Sequence, residues 1–238
     1  MKKLIPLFSV GLLFLFTNCQ EAEGTIQEVG FTSYFFPSDS LVPYIYVFSD
    51  EKRPLDERFL RLYRLENDRD TSFVVERFNS SFKITEGFTF KLNDSLTVID
   101  HMVVDRDGLK RQSNVTSNYS FPIYTDMVAH FIADFPGVAD STVIVQDSKK
   151  HIFNSDTTYV LFGNELPAIL VKDTIRWYEL SSGSSEMRKQ MVVTDNIYVK
   201  GYGLVEWGSE DKSVVFTLRV VLSDAWWSEH AQAPQVRF

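Results

Sequence analysis

Four histidines are the first candidates for chemistry, because an imidazole can serve as a metal ligand or as a general acid or base. They are His101, His130, His151 and His230. No two of them have the spacing that places a zinc pair on one helix face, and the HExxH pattern is absent. The sequence also lacks a phosphate-binding glycine loop and a GxSxG nucleophile elbow. We therefore expect no metal, no cofactor and no catalytic residue, so that the protein is not an enzyme.

The stretch from Asp105 to Gly108 begins like a calcium-binding loop. Such a loop needs a glutamate at its twelfth place, and here that place is held by Thr116. A hairpin turn with Gly108 in the left-handed region is the favoured interpretation.

Acidic residues and tryptophans raise the possibility of glycan chemistry. The chain has 32 aspartates and glutamates, but the sequence singles out no pair of facing carboxylates of the kind a glycosidase needs. The four tryptophans could stack on sugar rings, although such rings more often pack a core or a hairpin. A glycan-binding or glycan-cleaving protein is the weakest of the hypotheses.

The single cysteine, Cys19, follows two lysines and an apolar run from Leu4 to Phe16. This order is typical of an export signal. As a helix the run would extend only about 20 Å, which is too short for a hydrocarbon core of about 30 Å. One cysteine cannot form an internal disulfide, and a lipidated Cys19 would leave no free thiol for a thiolate zinc site or a nucleophile.

The residues FTNC that end in Cys19 resemble the lipobox of bacterial lipoproteins, although Phe16 and Asn18 depart from the commonest residues. The resemblance implies cleavage before Cys19 and lipidation of its thiol, with palmitate among the expected acyl groups. Residues 1–18 would then be a signal peptide and residues 19–29 a lipidated tether.

Acidic residues close to the cysteine bear on location. Gln20 follows Cys19, and Glu21 and Glu23 come next. This stretch resembles the tether of Bacteroidota-type lipoproteins, which implies an outer-membrane location and leaves the periplasmic and cell-surface faces both open.

The charge of the chain limits its partners. The net charge is −8, and the signal carries two lysines and no acid, so processing makes it two units more negative. A negative chain has no electrostatic basis for binding nucleic acid or anionic lipid surfaces. We expect attachment to the membrane through the lipid anchor alone, and a partner that is an apolar ligand or an envelope protein.

The remaining residues, 30–238, are predicted to form a single β-rich globular domain. In SVVFTLRVVL the two-residue period places five apolar side chains on one strand face: Val214, Phe216, Leu218, Val220 and Leu222. Polar turn residues separate strands at 67–70 and 207–213. The segments 55–66 and 125–137 fit a helix or a strand. The predicted fold class is mainly β, an antiparallel curved sheet or open barrel or half-barrel, with one or two short helices.

Two glycines, Gly201 and Gly203, interrupt the strand pattern near the C-terminus. We place them on one face of a continuous strand with four apolar residues: Ile197, Val199, Val205 and Trp207. Glycine weakens a strand unless something needs the space. The face therefore either packs aromatic side chains at a curve of the sheet or receives a ligand.

The stretch YVKGYGLVEW resembles a Y-x-K-G-x-G-L-V segment of uncharacterised periplasmic and lipoprotein domains, with Tyr202 as a departure. The matching residues are Tyr198, Lys200, Gly201, Gly203, Leu204 and Val205. Those domains are similar to the lipoprotein-carrier half-barrel, in which one curved sheet covers an apolar cavity. The resemblance implies a non-catalytic binding or carrier module for an apolar ligand.

The adjacent tryptophans Trp226 and Trp227 support an alternative. Exposed tryptophans are frequent anchors of protein interfaces. A structural or assembly lipoprotein would use them to dock onto an envelope complex.

Overall fold

The computed structural model describes residues 30–37, 43–67, 70–92, 96–105, 107–137, 141–182 and 187–231. Within these residues the chain forms two short helices, α1 (Thr32–Phe35) and α2 (Asp224–His230), neither of which is long and apolar enough to cross a membrane. The same residues form thirteen strands: β1 (Tyr44–Asp50), β2 (Arg53–Asn67), β3 (Asp70–Phe78), β4 (Ile84–Leu92), β5 (Leu96–Val104), β6 (Lys110–Gln112), β7 (Asn114–Asn118), β8 (Val128–Pro136), β9 (Thr142–Leu161), β10 (Asn164–Ser181), β11 (Arg188–Val199), β12 (Gly203–Ser209) and β13 (Val215–Ser223).

All of these strands belong to one antiparallel sheet, in the order β6-β5-β4-β3-β2-β1-β13-β12-β11-β10-β9-β8-β7. Its two edges, β6 and β7, are consecutive in the chain. Between them Ser113 donates its backbone N–H to the carbonyl of His101 on β5 at 3.0 Å, and a bridge joins Thr97 to Tyr119. The sheet is therefore nearly closed into a barrel. This confirms the predicted class, a mainly β protein with a curved antiparallel sheet or open barrel and short helices.

Both segments that fitted a helix or a strand are strands. Segment 55–66 lies in β2, and segment 125–137 contains β8. Along β8 the buried residues alternate with half-buried ones: Ala129, Phe131, Ala133 and Phe135 are buried. That two-residue period is the signature of a strand with one face in the core.

The turn at 105–108 is a hairpin turn, as predicted. The Asp105 carboxylate accepts hydrogen bonds from the backbone N–H groups of Asp107 at 3.0 Å and Leu109 at 2.9 Å. Gly108 has a φ of +80°, in the left-handed region that glycine adopts readily. The aspartate therefore stabilises the β5–β6 connection.

The two ends of the barrel differ. We call the end with the β9–β10 and β11–β12 turns the base, and the end with the β3–β4 and β5–β6 turns the open end. At the base, Phe31 donates its backbone N–H to the Ile123 carbonyl at 2.9 Å, and Gly201 donates to the Ser33 carbonyl at 2.8 Å. The segment 31–36, which contains α1, is thereby held inside the base, and we call it the plug.

Apolar side chains form two cores. The larger one fills the base of the barrel with rings such as Phe36 and Phe73, which stack with centroids 4.4 Å apart. The smaller one lies outside the barrel, where α2 covers β1, β2 and β3. Its buried members are Ile45, Val47, Phe59, Phe78, Trp227 and Ala231.

Helix α2 is fixed on this outer face at its first turn. The Ser223 hydroxyl accepts a hydrogen bond from the Trp226 backbone N–H at 3.3 Å, which caps the helix. Arg61 on β2 contacts the Asp224 carboxylate at 2.9 Å.

The prediction of one shared face along β13 is wrong. Val47 pairs with Val220 and Phe48 pairs with Leu218, so Arg219 is an extra residue opposite the β1 ladder. Such a bulge shifts the alternation of side chains. Phe216 and Leu218 consequently lie in the interior core, whereas Leu222 packs against the outer one.

Candidate ligand-binding cavity

The barrel contains a cavity of about 500 Å³. Much of its wall is apolar, with aromatic and aliphatic side chains from six strands: Leu60, Val75, Phe88, Ile175, Val192 and Trp207. Small-molecule sites are clefts or cavities of roughly 300–1,000 Å³ with mostly apolar walls and a few placed polar groups. Volume and lining therefore match those of a small-molecule site.

The plug lies directly behind the aromatic rings that form the floor of this cavity. The ring of Phe35 lies 4.6 Å from that of Phe121 and 5.0 Å from that of Tyr198. The ring of Phe36 lies 5.4 Å from that of Phe90. Because Phe121, Tyr198 and Phe90 all line the cavity, the plug closes it toward the base.

An ion pair lies in the wall formed by β3 and β4. Arg77 and Glu86 are register partners, and Nη1 of Arg77 donates to Oε2 of Glu86 at 2.7 Å. On β5, Nε2 of the fully buried His101 lies 3.1 Å from the other Glu86 oxygen. The His101 ring stacks on Phe88 with centroids 4.4 Å apart. Arg77, Glu86 and His101 on three neighbouring strands thus form one hydrogen-bonded polar cluster inside the barrel.

A second ion pair lies in the wall formed by β9 and β10. Lys150 and Asp173 are register partners, with Nζ 3.3 Å from Oδ2. Ser148 donates its hydroxyl to the other carboxylate oxygen of Asp173 at 2.7 Å. Nζ of Lys150 also lies 5.5 Å from the centre of the Phe121 ring, deep in the cavity.

The two walls influence each other electrostatically. Burial would raise the pKa of Glu86, but the charge of Arg77 and the hydrogen bond with His101 outweigh it and lower the pKa to about 2, with a further contribution from Lys150. Burial raises the pKa of Tyr198, and the charge of Asp173 adds to this effect. Glu86 is therefore ionised and Tyr198 is neutral at neutral pH.

A second cavity, of about 630 Å³, lies at the open end between β5 and β6 on one side and β8 to β11 on the other. Trp177 and Val192 line both cavities and lie between them. The charged residues of the second cavity include two contacting pairs: Arg111 with Asp105 at 2.9 Å, and Arg188 with Glu179 at 3.9 Å. The first cavity has a floor and an aromatic wall, and we regard it as the candidate site.

The continuous strand predicted through Gly201 and Gly203 is wrong. β11 ends at Val199, β12 begins at Gly203, and the residues between them form a turn. Gly201 and Gly203 have φ values of +78° and +88°, in the left-handed region. A Cβ atom on Gly203 would lie 3.0 Å from the Phe35 carbonyl oxygen, so this glycine also admits the plug backbone.

The apolar residues predicted to share a face with these glycines are divided between two faces. Trp207 pairs with Asn196 and lines the cavity, whereas Ile197 pairs with Glu206. Val205 lies in a bulge of the β11–β12 ladder, and both Val205 and Val199 are fully buried. Among the described lining residues, Trp207 is the one member of the predicted set. Ligand contact by the other members stays a prediction.

The prediction of two adjacent exposed tryptophans is wrong for Trp227. Its side chain is 5 % exposed, and its ring lies 4.7 Å from Phe78 and 5.6 Å from Phe59. The chain itself therefore buries this ring under α2. Trp226 is half-buried beside the same outer core, and its role as a partner contact stays a prediction.

The predicted lipidation residue, Cys19, lies outside the described residues, as do the predicted signal peptide and tether. Sequence reasoning missed four charged residues of the cavity lining, Arg58, Arg77, Lys150 and Asp173, and Glu86, which contacts Arg77 beside it. Each is an ordinary polar residue in a strand pattern, and only the pairing of strands brings them together. The signal that could have indicated them is the period of two, which places Arg77 on the same face as Phe73 and Val75.

Comparisons with known proteins assign neither a family nor a function to this chain. No family model matches the chain, and no curated protein matches it. The chain is similar to a crystal structure described as a "putative lipoprotein" from Parabacteroides distasonis, with a TM-score of 0.48 and 11% sequence identity, over 79% of this chain and 98% of that one. At these values the likeness assigns neither site residues nor a function.

Proposed function

We propose that this chain is a lipid-anchored outer-membrane lipoprotein that binds an apolar ligand inside its barrel and catalyses no reaction. The observation that carries the proposal is the interior cavity of about 500 Å³ with its aromatic wall. Protein interiors are close-packed, and voids larger than a water molecule are few. A mostly apolar cavity of this size, open at one end, is suited to a small apolar molecule.

The position of the cavity supports binding from the open end. The plug closes the base, where Phe35 and Phe36 pack against cavity-lining rings. The lining extends from these rings to Asn79 and Thr85, on either side of the β3–β4 turn. A ligand would enter at that end and place its apolar part against the floor.

The position at which the N-terminal end of the described chain meets the barrel is consistent with a lipid anchor that precedes it. Gly30 and Phe31 lie at the base beside Ile123. An anchor at Cys19 would therefore attach to the closed end of the barrel. The opening of the cavity would lie at the end opposite the attachment.

Native mass spectrometry of the chain from Gln20 to Phe238 tests the proposal. All described strands and helices lie within this range. We expect a bound species that organic extraction removes and identifies as apolar or amphipathic. Val75→Phe, which fills the cavity wall, should lose this species, whereas Val220→Phe at an exposed site on β13 should keep it.

Two outcomes argue against the proposal. One is a bound species that Val75→Phe retains in full, because that species would lie elsewhere. The other is a bare polypeptide mass together with no uptake of an added apolar dye. A co-purifying protein that depends on Trp226 would instead favour the alternative, docking onto an envelope complex.

A further inference from the structure

We infer that the ligand is an anionic amphiphile whose head group binds between Arg58 and Arg77 at the open end of the cavity. This inference rests on the proposed function and adds the chemical class of the ligand. The shared chemistry is that of a carboxylate or a phosphate monoester attached to an apolar chain.

The two arginines are neighbours on the interior face of the sheet. Arg58 pairs with Phe48, a fully buried residue of the interior core, and Arg77 pairs with Leu60, two residues beyond Arg58. Diagonal neighbours of this kind lie about 7–8 Å apart. Both side chains line the cavity, next to the end marked by Asn79 and Thr85.

Each guanidinium group is held in place by the wall. The Cζ atom of Arg58 lies 5.6 Å from the centre of the Phe216 ring, and that of Arg77 lies 5.5 Å from the centre of the Phe88 ring. A guanidinium over the face of a ring is attracted to it without using its N–H donors. These contacts favour positions of the two guanidinium groups at the cavity wall.

Both guanidinium groups retain donors for a head group. Nη2 of Arg58 contacts the Asp56 carboxylate at 2.8 Å, and Nη1 of Arg77 contacts Glu86 at 2.7 Å. A guanidinium has five N–H donors, so one such contact leaves several. The side chains are 38% and 48% exposed, which lets a head group reach them without breaking either contact.

Cationic side chains outnumber acidic ones among the described residues of the lining. Among the described lining residues there are three cations, Arg58, Arg77 and Lys150, and one acid, Asp173. Asp173 already contacts Lys150 and Ser148 deep in the wall. Arg58 and Arg77 also contact acids outside the lining, Asp56 and Glu86, so the two arginines offer an anion directed N–H donors rather than a net positive charge. Arginines beside an apolar wall bind carboxylates and phosphates more strongly than they would in water.

The test uses the chain from Gln20 to Phe238 and two dyes that differ in the head group alone, 11-(dansylamino)undecanoic acid and its neutral methyl ester. We expect the acid to bind at least ten-fold more tightly than the ester. Arg58→Gln and Arg77→Gln should each weaken acid binding by about five-fold or more and leave ester binding unchanged. The matched control is Arg176→Gln, because Arg176 is half-buried, lies outside the cavity lining and contacts Asp147 at 3.8 Å.

The outcomes separate this inference from the proposed function. Equal binding of acid and ester by the wild type, or equal weakening of both by the arginine variants, overturns the anionic head group and leaves the apolar cavity standing. If the wild type binds neither dye, both the anionic head group and the proposed apolar-ligand function are overturned. Because Arg77→Gln removes a partner of Glu86, Arg77→Lys serves as a second variant and should restore part of the preference for the acid. Competition by dodecanoate and by dodecyl phosphate then identifies the head group. If neither compound displaces the acid dye, the inference is contradicted.

Discussion

Arg77 and Glu86 face each other across β3 and β4, with Nη1 2.7 Å from Oε2, in the wall of an interior cavity. Burial opposes the charge on Glu86, but Arg77 and His101 stabilise it and lower its pKa to about 2. A carboxyl group with a lowered pKa in the folded state stabilises the fold above its unfolded pKa. That contribution is lost as the pH falls toward the folded value.

Glu86→Gln should therefore destabilise the protein in a pH-dependent way. At pH 7 we expect a loss of about 3 kcal/mol in the free energy of unfolding, as follows from a pKa shift of this size. The difference from wild type should shrink between about pH 4.5 and pH 2, where Glu86 becomes protonated. Urea unfolding at pH 7, 4 and 2.5 measures it. Glu57→Gln, at an exposed site, is the control, and a Glu86→Gln effect that is constant with pH contradicts the account.

Gly203→Ala should destabilise the protein more than Gly163→Ala. Both glycines have a positive φ, +88° and +82°, so both substitutions carry the backbone strain of about 1–2 kcal/mol expected in the left-handed region. At Gly163 nothing lies near an added Cβ atom, whereas at Gly203 it would crowd the Phe35 carbonyl oxygen at 3.0 Å. Chemical denaturation of the two variants isolates the contact with the plug. Equal losses would show that the plug does not depend on this glycine.

Trp227→Ala should cost about 3–5 kcal/mol of unfolding free energy, the range for removing a large buried aromatic side chain. The ring lies between Phe59, Phe78 and Phe82 and holds α2 against the barrel. Trp226→Ala is the matched comparison, since Trp226 is half-buried, and it should cost less. Equal costs for the two variants, measured by urea unfolding, would contradict the placement of α2.

The strands and most turns could be predicted from the sequence, because they depend on local patterns. The alternation in β8 and the aspartate and glycine at 105–108 belong to single segments of the chain. The side of the sheet on which each side chain lies could not be predicted for every strand. One extra residue at Arg219 and another at Val205 shift the alternation, and nothing in either residue type marks a bulge.

The candidate site could not be predicted from the sequence for a related reason, the dependence on strand register. Lys150 and Asp173 become neighbours only because β9 and β10 pair in one particular register. The proximity of Arg58 and Arg77 likewise depends on the β2–β3 register, and Phe216, whose ring centre lies 5.6 Å from Cζ of Arg58, comes from the far end of the chain. The sequence pattern favours a strand face around Gly201 and Gly203 that could receive a ligand, whereas their positive φ values explain them as turn residues.

Cys19→Ala should abolish lipidation. In cells that process lipoproteins, the wild-type chain should incorporate an alkyne-tagged palmitate and sediment with membranes. The variant should incorporate none and appear in the soluble fraction, because the acyl chains are the expected source of membrane attachment. If the variant still carries the label, the acyl chain is attached to another residue and the lipobox interpretation is wrong.

A titration with the neutral dye N-phenyl-1-naphthylamine measures whether the interior cavity takes up an apolar molecule. Trp177 and Trp207 line the cavity, so their emission reports on an occupant. We expect saturable binding of about one dye per chain and quenching of tryptophan emission, with loss of both in Val75→Phe and retention of both in Val220→Phe. No uptake by the wild type, or equal uptake by the folded Val75→Phe variant, would contradict binding of an apolar molecule in the cavity.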